Sequence, residues 1–411
     1  MDGWIKLALV FIGIVIAIRL KFFVGYTLYV AGLALAVLYK MGFMDILLAN
    51  KNLLFSERFL SLYIIIVLIT FLGRLLKEIG YLNRLVEASR EMVGGARTAA
   101  ALLPALVGLM PMPGGAMLSA PLVAEVLPKG KYSPEFMTIV NYWSRHIIEF
   151  CWPIYPGLIL SAALASLNVG QIALLQMPLT LIMIPVGLMF FIRQIKEKGE
   201  GKGDILRPAI KILSAIWPIL LSIFIPALFS IELLWGVVIS LIILIIIERP
   251  NIKRVIPVCR EACSPKLLAL VFGILFFQQI LEITGSVGSI PRLTLDMGFP
   301  PIVVIFALTF TVGLLTGMVT AFIGLSYPLL SGYLFQPEPN LANIYFAYLS
   351  GYMGMILSPT HFCLVLTNEY FGSNLGKVYR QLAIPLGVFF IGGVLLYLLG
   401  YPWQIFNWLY N

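Results

Sequence analysis

Apolar runs of helix-spanning length recur along nearly the whole chain, separated by short polar intervals. Read from this pattern, spanning helices fall at about 4–18, 22–39, 59–77, 174–192, 210–228, 231–248, 266–284 and 383–400. Two longer apolar stretches, 134–170 and 341–370, are interrupted. A bilayer crossing takes roughly 20 mostly apolar residues, so these stretches predict about ten crossings. Two further apolar segments, 98–127 and 303–335, are too broken by Pro, Gly, Ser and Thr to be plain spans. The first, and the second from about 312, read as re-entrant hairpins. The stretch "GYLNRLVEASREMVGGART" (80–98) is polar enough to lie along the membrane interface. Residues 4–18 follow neither a basic leader nor a small-residue cleavage site, and read as a retained first helix.

Composition narrows the class to an all-α polytopic membrane protein. Hydrophobic residues make up 60% of the chain and charged ones 11%, against about 25% charged in a soluble domain. Mean hydropathy is +0.98. The short alternating segments of an outer-membrane barrel are missing. The net charge of +9 needs no nucleic acid. With the N-terminus outside, the inner loops receive Arg74, Lys77, Arg84, Arg90, Arg97, Lys129 and Lys131, the linker "RQIKEKGEGKGDILRPAIK" (193–211), and Arg249, Lys253, Arg254, Arg260 and Lys266. The outer loops hold Lys40, Lys51, Arg58 and Arg292 beside Asp45, Glu57, Asp296 and Glu338. This asymmetry places both termini outside a cell (inner or plasma) membrane. Cys151, Cys259, Cys263 and Cys363 form no CxxC pair, which predicts reduced thiols. There is no nucleotide-binding P-loop, so ATP-driven pumping would need another subunit.

The two halves resemble each other. At one constant offset, "NYWSRHIIEFCWPIYPGLILSAALASLNVG" (141–170) pairs with "AYLSGYMGMILSPTHFCLVLTNEYFGSNLG" (347–376), matching Tyr142 with Tyr348, Ser144 with Ser350, Pro153 with Pro359 and Asn168 with Asn374. Upstream, "LLPALVGLMPMPGGAMLS" (102–119) aligns ungapped with "LLTGMVTAFIGLSYPLLS" (314–331). Five crossings per half turn the second half upside down. The expected organisation is an inverted repeat over 1–192, a basic cytoplasmic linker over 193–211 and a second repeat over 212–411. Interrupted helices meeting near the midplane are the layout of many secondary transporters.

Backbone cannot be left unpaired in hydrocarbon unless it is buried in protein or lines a wet cavity. The densest break is "PMPGG", Pro111, Met112, Pro113, Gly114 and Gly115, with "GLSYP" (324–328, including Ser326) as its expected counterpart tip. Glycines admit a ligand close to the backbone, and a half-helix starting there offers free amides. A kinked helix relieved by its neighbours has the same composition. The second break is "SPTH", with Ser358, Thr360 and His361, facing "WPIYP" (152–156); its prolines remove donors mid-span and free carbonyls beside hydroxyls. The third feature is "NYWSRHIIE". Ser133 and Pro134 mark a helix start, which puts Arg145 roughly 16 Å along the axis. Asn141, Arg145 and Glu149 then share one face, with Ser144 beside them. A mid-membrane arginine costs at least ~3 kcal/mol and is a functional candidate by default; the competing reading is a structural Arg145–Glu149 ion pair. His146 and His361, the two histidines of the chain, fall in the interrupted helices, either as candidate proton carriers or as neutral interhelical hydrogen-bond partners. His146 and Glu149 form HxxE, a weak metal signal without a second such pair; no metal and no cofactor are expected.

The order of helices, Pro/Gly hairpin, long broken helix and basic linker, repeated once, resembles the ion-transporter superfamily of gluconate permeases, citrate symporters and divalent-anion/sodium symporters. "PMPGG" is similar to the hairpin motif of the gluconate permeases. "FLGRLLKEIG" (71–80) and "FQQILEITG" (277–285) resemble the helix end before the hairpin. The nearest likeness is to a branch of prokaryotic integral membrane proteins. The resemblance implies an elevator-type transporter, commonly a homodimer, rather than an enzyme. The sodium-coupled symporters carry Ser-Asn-Thr at their hairpin tips, where this chain has "PGG" and "LSYP".

The expected function is secondary active transport of a small, anionic organic solute, driven by H⁺ with Na⁺ as second choice. Pro111, Pro113, Gly114, Gly115, Asn141, Ser144, Arg145, Ser326, Ser358 and Thr360 are the candidate substrate contacts. His146, Glu149 and His361 are the candidate coupling groups. The expected partners are the solute, the coupling ion and membrane lipids, with no nucleic acid. A lipid or polyprenyl-phosphate translocase, and an intramembrane enzyme using His146 and Glu149, are the competing readings.

Overall fold

The computed structural model describes residues 3–91, 96–110, 115–127, 130–196, 206–288, 291, 293–294 and 297–402. Among these residues the regular structure is helical, with no β-strand. The first half runs α1 (Gly3–Arg19), α2 (Val24–Leu38), α3 (Phe43–Leu54), α4 (Glu57–Glu78) and α5 (Tyr81–Glu91). A hairpin of α6 (Ala96–Gly108) and α7 (Ala116–Val126) follows, then a broken helix of α8 (Pro134–His146) and α9 (Pro156–Ala165), then α10 (Val169–Phe190). The second half runs α11 (Leu206–Phe229), α12 (Leu233–Glu248), α13 (Ile252–Ala262) and α14 (Pro265–Ile283). Its hairpin is α15 (Pro301–Thr316) and α16 (Val319–Leu329), its broken helix α17 (Leu341–Ile356) and α18 (Phe362–Phe371), and α19 (Leu375–Leu398) closes it.

The chain is a polytopic α-helical membrane protein. Among the described residues, five segments are long and apolar enough to cross a membrane: Glu57–Glu78, Val169–Gln194, Arg207–Phe229, Ile252–Ile283 and Leu375–Leu398. Burial runs opposite to a soluble protein's. Leu9, Ile12, Ile16, Val30, Ile246, Ile247, Ile391 and Leu395 are exposed, whereas Asn141, Arg145, His146, Gln176 and His361 are buried. An apolar outer surface with polar groups inside is what a lipid solvent requires.

Helix ends follow local chemistry. Ser56, Ser133 and Ser264 accept the amides of Phe59, Phe136 and Leu267 and start α4, α8 and α14. Asn168 and Asn374, paired by the offset in the sequence, cap α10 and α19. At the same offset α9 and α18 start and stop at matching positions. Each restarting half-helix lies against the other half's hairpin, α9 on α16 and α18 on α7. The first arms are close to their own half's broken helix, α6 on α8 and α15 on α17.

Three expectations need correction. The second hairpin begins at Pro301 rather than near 312, and its tip is Gly317–Met318. Gly317 is in the left-handed region (φ +63°), which terminates α15. Gly324, Ser326 and Pro328 therefore lie inside α16, not at a tip, and Ser326 is fully buried. The ungapped alignment of the hairpins went astray because the second turn is shorter. Next, α8 ends at His146, so Glu149 leaves the helical face it was expected to share with Asn141 and Arg145. Pro153 and Pro156 supply no amides, and the chain from 146 to 155 goes on through i→i−3 turns at Glu149, Cys151 and Tyr155. Finally, α3 and α13 are helices where loops were expected. On α13, Lys253, Arg254 and Arg260 accompany exposed Ile252 and Ile256, the composition of a helix lying at a membrane surface.

Candidate functional site

The two breaks meet at a cavity of about 540 Å³, whose lining includes Arg145, His146, Glu149, Tyr155, Gly317, Thr360, His361 and Cys363. Arg145 is the penultimate residue of α8 and is 6% exposed. Its guanidinium lies against Gly115, the residue before α7. A Cβ there would sit 2.6 Å from Nη2 and 2.7 Å from Cζ, so only glycine leaves room for this contact. Arg145 and Cys363 line the same cavity.

The histidines face each other. His146 Nε2 is 3.1 Å from His361 Nε2. The other ring nitrogens are held by backbone carbonyls: His146 Nδ1 is 2.6 Å from the oxygen of Tyr142, and His361 Nδ1 is 2.7 Å from that of Gly317. A carbonyl only accepts, so both Nδ1 atoms carry a proton and donate it. In neutral rings both Nε2 atoms then present lone pairs toward the same point. Cys363 Sγ lies in the same cluster, all three ligand atoms being within 4.8 Å of one another. Glu149 Oε2 stands 3.8 Å from His146 Nε2 and accepts a 3.0 Å hydrogen bond from the Tyr352 hydroxyl.

Tyr155 and His361 occupy equivalent places at the starts of α9 and α18, and both fasten a hairpin. The Tyr155 hydroxyl donates to the carbonyl of Gly108, where α6 ends, just as His361 Nδ1 donates to Gly317, where α15 stops. Trp152 Nε1 adds a 3.0 Å hydrogen bond to the Leu109 carbonyl. The breaks are thus held by hydrogen bonds that spare backbone carbonyls from being left unpaired in the interior.

Four helices begin here. α9, α16 and α18 start on residues that line the cavity, and α7 starts beside the guanidinium of Arg145. None of their first positions, Gly115, Tyr155, Met318 and His361, supplies a side-chain cap. Of the other helices, α4, α8, α10, α13, α14, α17 and α19 begin on a Ser or Asn whose side chain accepts a first-turn amide, whereas α2, α3, α12 and α15 begin on residues that supply no side-chain cap either; what sets the four apart is that they gather at one place. Uncapped starts keep amide donors free and carry about half a positive charge each.

Of the residues singled out in the sequence, Arg145, His146, Glu149, Thr360 and His361 line the cavity, with Gly115 directly behind Arg145. Ser358 stands behind Thr360, 2.8 Å away. Asn141 and Ser144 are buried outside the lining, Asn141 donating to Thr367 Oγ1 at 3.1 Å. Pro111, Pro113 and Gly114 lie outside the described residues. Cys363, Tyr155 and Gly317 were not singled out. Cys363 had a signal in the spacing His-x-Cys beside the break, and Tyr155 in its pairing with His361.

The protein family described as "Protein of unknown function (DUF401)" matches residues 5–399. The chain belongs to this family. The matched span takes in both hairpins, both broken helices and every residue of the cavity. No curated protein matches the sequence.

Proposed function

We propose that the protein is a secondary active transporter of a small organic anion, driven by H⁺, with Na⁺ the second candidate. The observation that carries this reading is a cavity lined by three uncapped helix starts and Arg145, with a fourth uncapped start against the Arg145 guanidinium. Free amides, the positive ends of helix dipoles and a buried guanidinium are complementary to a carboxylate or phosphate. A cavity of about 540 Å³ suits a small metabolite. Against sodium stands the want of Ser-Asn-Thr at the hairpin tips.

On this reading the chain forms two inverted repeats, 1–192 and 212–411, around the linker 193–211, in the manner of the ion-transporter superfamily. It crosses a cell membrane ten times with both termini outside. The matching starts of α9 and α18 and the exchange of hairpin contacts between halves support this layout. The hairpins and broken helices would carry the solute past the remaining helices, and a homodimer is the natural assembly for such a movement.

The test is thermal unfolding of the purified protein against sugar acids, mono-, di- and tricarboxylates, inorganic anions and anionic lipids, at acidic and neutral pH, with and without sodium. A ligand at a hundred times its Kd stabilises by about 2.7 kcal/mol. The expected result is protection by one class of acid, stronger at acidic pH, and its uptake into proteoliposomes under a proton gradient. Protection by lipid phosphates alone would replace this reading with lipid translocation.

A further inference from the structure

We propose that His146, His361 and Cys363 form a binding site for a zinc-like divalent transition metal, with Glu149 beside the fourth position. The inference goes beyond the transport reading and does not depend on it. The two Nε2 atoms lie 3.1 Å apart. Two nitrogens on a tetrahedral zinc, each at 2.0–2.1 Å, are separated by ~3.3 Å. The thiol sulfur shares the cluster, and an imidazole–thiolate set selects borderline metals over calcium or magnesium.

The backbone supports the same conclusion. Metal-binding histidines almost always donate their second ring N–H to a carbonyl or carboxylate, which fixes the tautomer and turns the bare nitrogen to the metal. Here both rings do so, through Tyr142 and Gly317. Gly317 is fixed by its left-handed conformation and by the approach of the His361 backbone, 2.7 Å from where a Cβ would be. Without a bound cation or proton the two lone pairs oppose each other in a buried site. Glu149, anchored by Tyr352, is the remaining oxygen donor, and the fourth position opens to the cavity.

On ligation Cys363 gives up its thiol proton to solvent and binds as thiolate. Thiolate and Glu149 carboxylate together neutralise a dication, and Arg145 beside them leaves the site one positive charge in excess. The metal would therefore add to the attraction for an anion in the cavity. Residues from both broken helices would be joined by one ion.

The experiment uses the full chain with Cys259→Ser and Cys263→Ser, because those exposed, neighbouring thiols would bind metal on their own. Purified without chelator, it should hold about one equivalent of metal per chain by mass spectrometry of the elements. After chelation and reloading with Co²⁺ alone, it should show a thiolate-to-cobalt charge-transfer band. Cys363→Ser should abolish that band while cobalt still binds more weakly. His361→Gln should lower affinity more than tenfold, since losing even an orienting partner costs about ten- to hundredfold. Tyr352→Phe removes only the hydroxyl that holds Glu149 and keeps the ring, so it reports on the site where the other variants fold poorly; about a tenfold loss is expected. Metal-free protein without a cobalt band would overturn the proposal and leave the histidines bridged by a proton. A band that survives Cys363→Ser would overturn it as well. Neither result touches the search for a transported acid, and a loaded site in a protein that transports no acid would leave the metal standing alone.

Discussion

The contact between Gly115 and Arg145 gives a prediction that separates a recognition arginine from a structural one. At Gly115 the backbone is at φ −56°, ψ −19°, ordinary for alanine, so Gly115→Ala acts through its methyl group alone. That methyl would lie 2.6 Å from Arg145 Nη2 and 2.7 Å from Cζ, where a relaxed contact needs about 3.5 Å. The guanidinium, being the end of a flexible side chain, must move by roughly 1 Å. Displacements of this size in a positioned group cost up to about a hundredfold, and a hydrogen bond to a charged group is worth ~1.5–3 kcal/mol. Gly115→Ala should therefore weaken binding of the best-protecting acid by about ten- to a hundredfold, with thermal stability little changed. Arg145→Gln should weaken it at least as much. Because the methyl works only through the guanidinium, Gly115→Ala added to Arg145→Gln should have almost no further effect. The assay is acid binding by thermal shift or calorimetry on all four proteins of the cycle. Additive losses would refute the reasoning, and so would a Gly115→Ala protein that binds normally.

Three other outcomes are expected. Gly317→Ala places a side chain at φ +63° with its Cβ 2.7 Å from the His361 nitrogen; the left-handed conformation alone costs ~1–2 kcal/mol, so the unfolding midpoint should fall clearly, and an unchanged midpoint would mean the turn is not held as described. Arg84 pairs with Glu248 at 2.9 Å while half-exposed, tying α5 to α12; Arg84→Ala should cost no more than ~1 kcal/mol, and the loss should shrink in high salt. Cys259 and Cys263 are exposed on and beside α13; a membrane-impermeant maleimide should label them in inside-out vesicles and not in right-side-out ones, and labelling from the outside would reverse the orientation drawn from loop charges.

Much of the fold was legible because a bilayer leaves a chain few options: an apolar run becomes a helix, and a Pro/Gly cluster inside one becomes a break. The first hairpin and both broken helices were read this way. Failures came where the deciding quantity was local geometry. The turn at Gly317 carries one glycine and no proline, and the richer "GLSYP" drew the tip away from it, although Gly324 and Pro328 sit quietly within α16. Glu149 was kept on a helical face because spacing alone does not tell how far before Pro153 a helix unwinds. Cys363 was read only as one of four reduced thiols. Only the approach of two distant breaks puts it beside both histidines, and sequence spacing within one break does not encode that approach.

That approach also limits how the site can work. Arg145, His146 and Glu149 come from the end of α8 and the turns after it, whereas Thr360, His361 and Cys363 come from the break before α18. Tyr155 and His361 stand at equivalent positions and make equivalent hydrogen bonds to their hairpins, yet only the histidine also joins the cluster. Two halves with matching scaffolding thus contribute different chemistry: each gives one imidazole, but the charged groups come from the first and the thiol from the second. Such a cavity cannot be divided between the halves without losing its donor set. If the solute is carried, both hairpins and both broken helices have to travel as one body, with any movement taken up where they meet α4 and α14, the neighbours of α9 and α16.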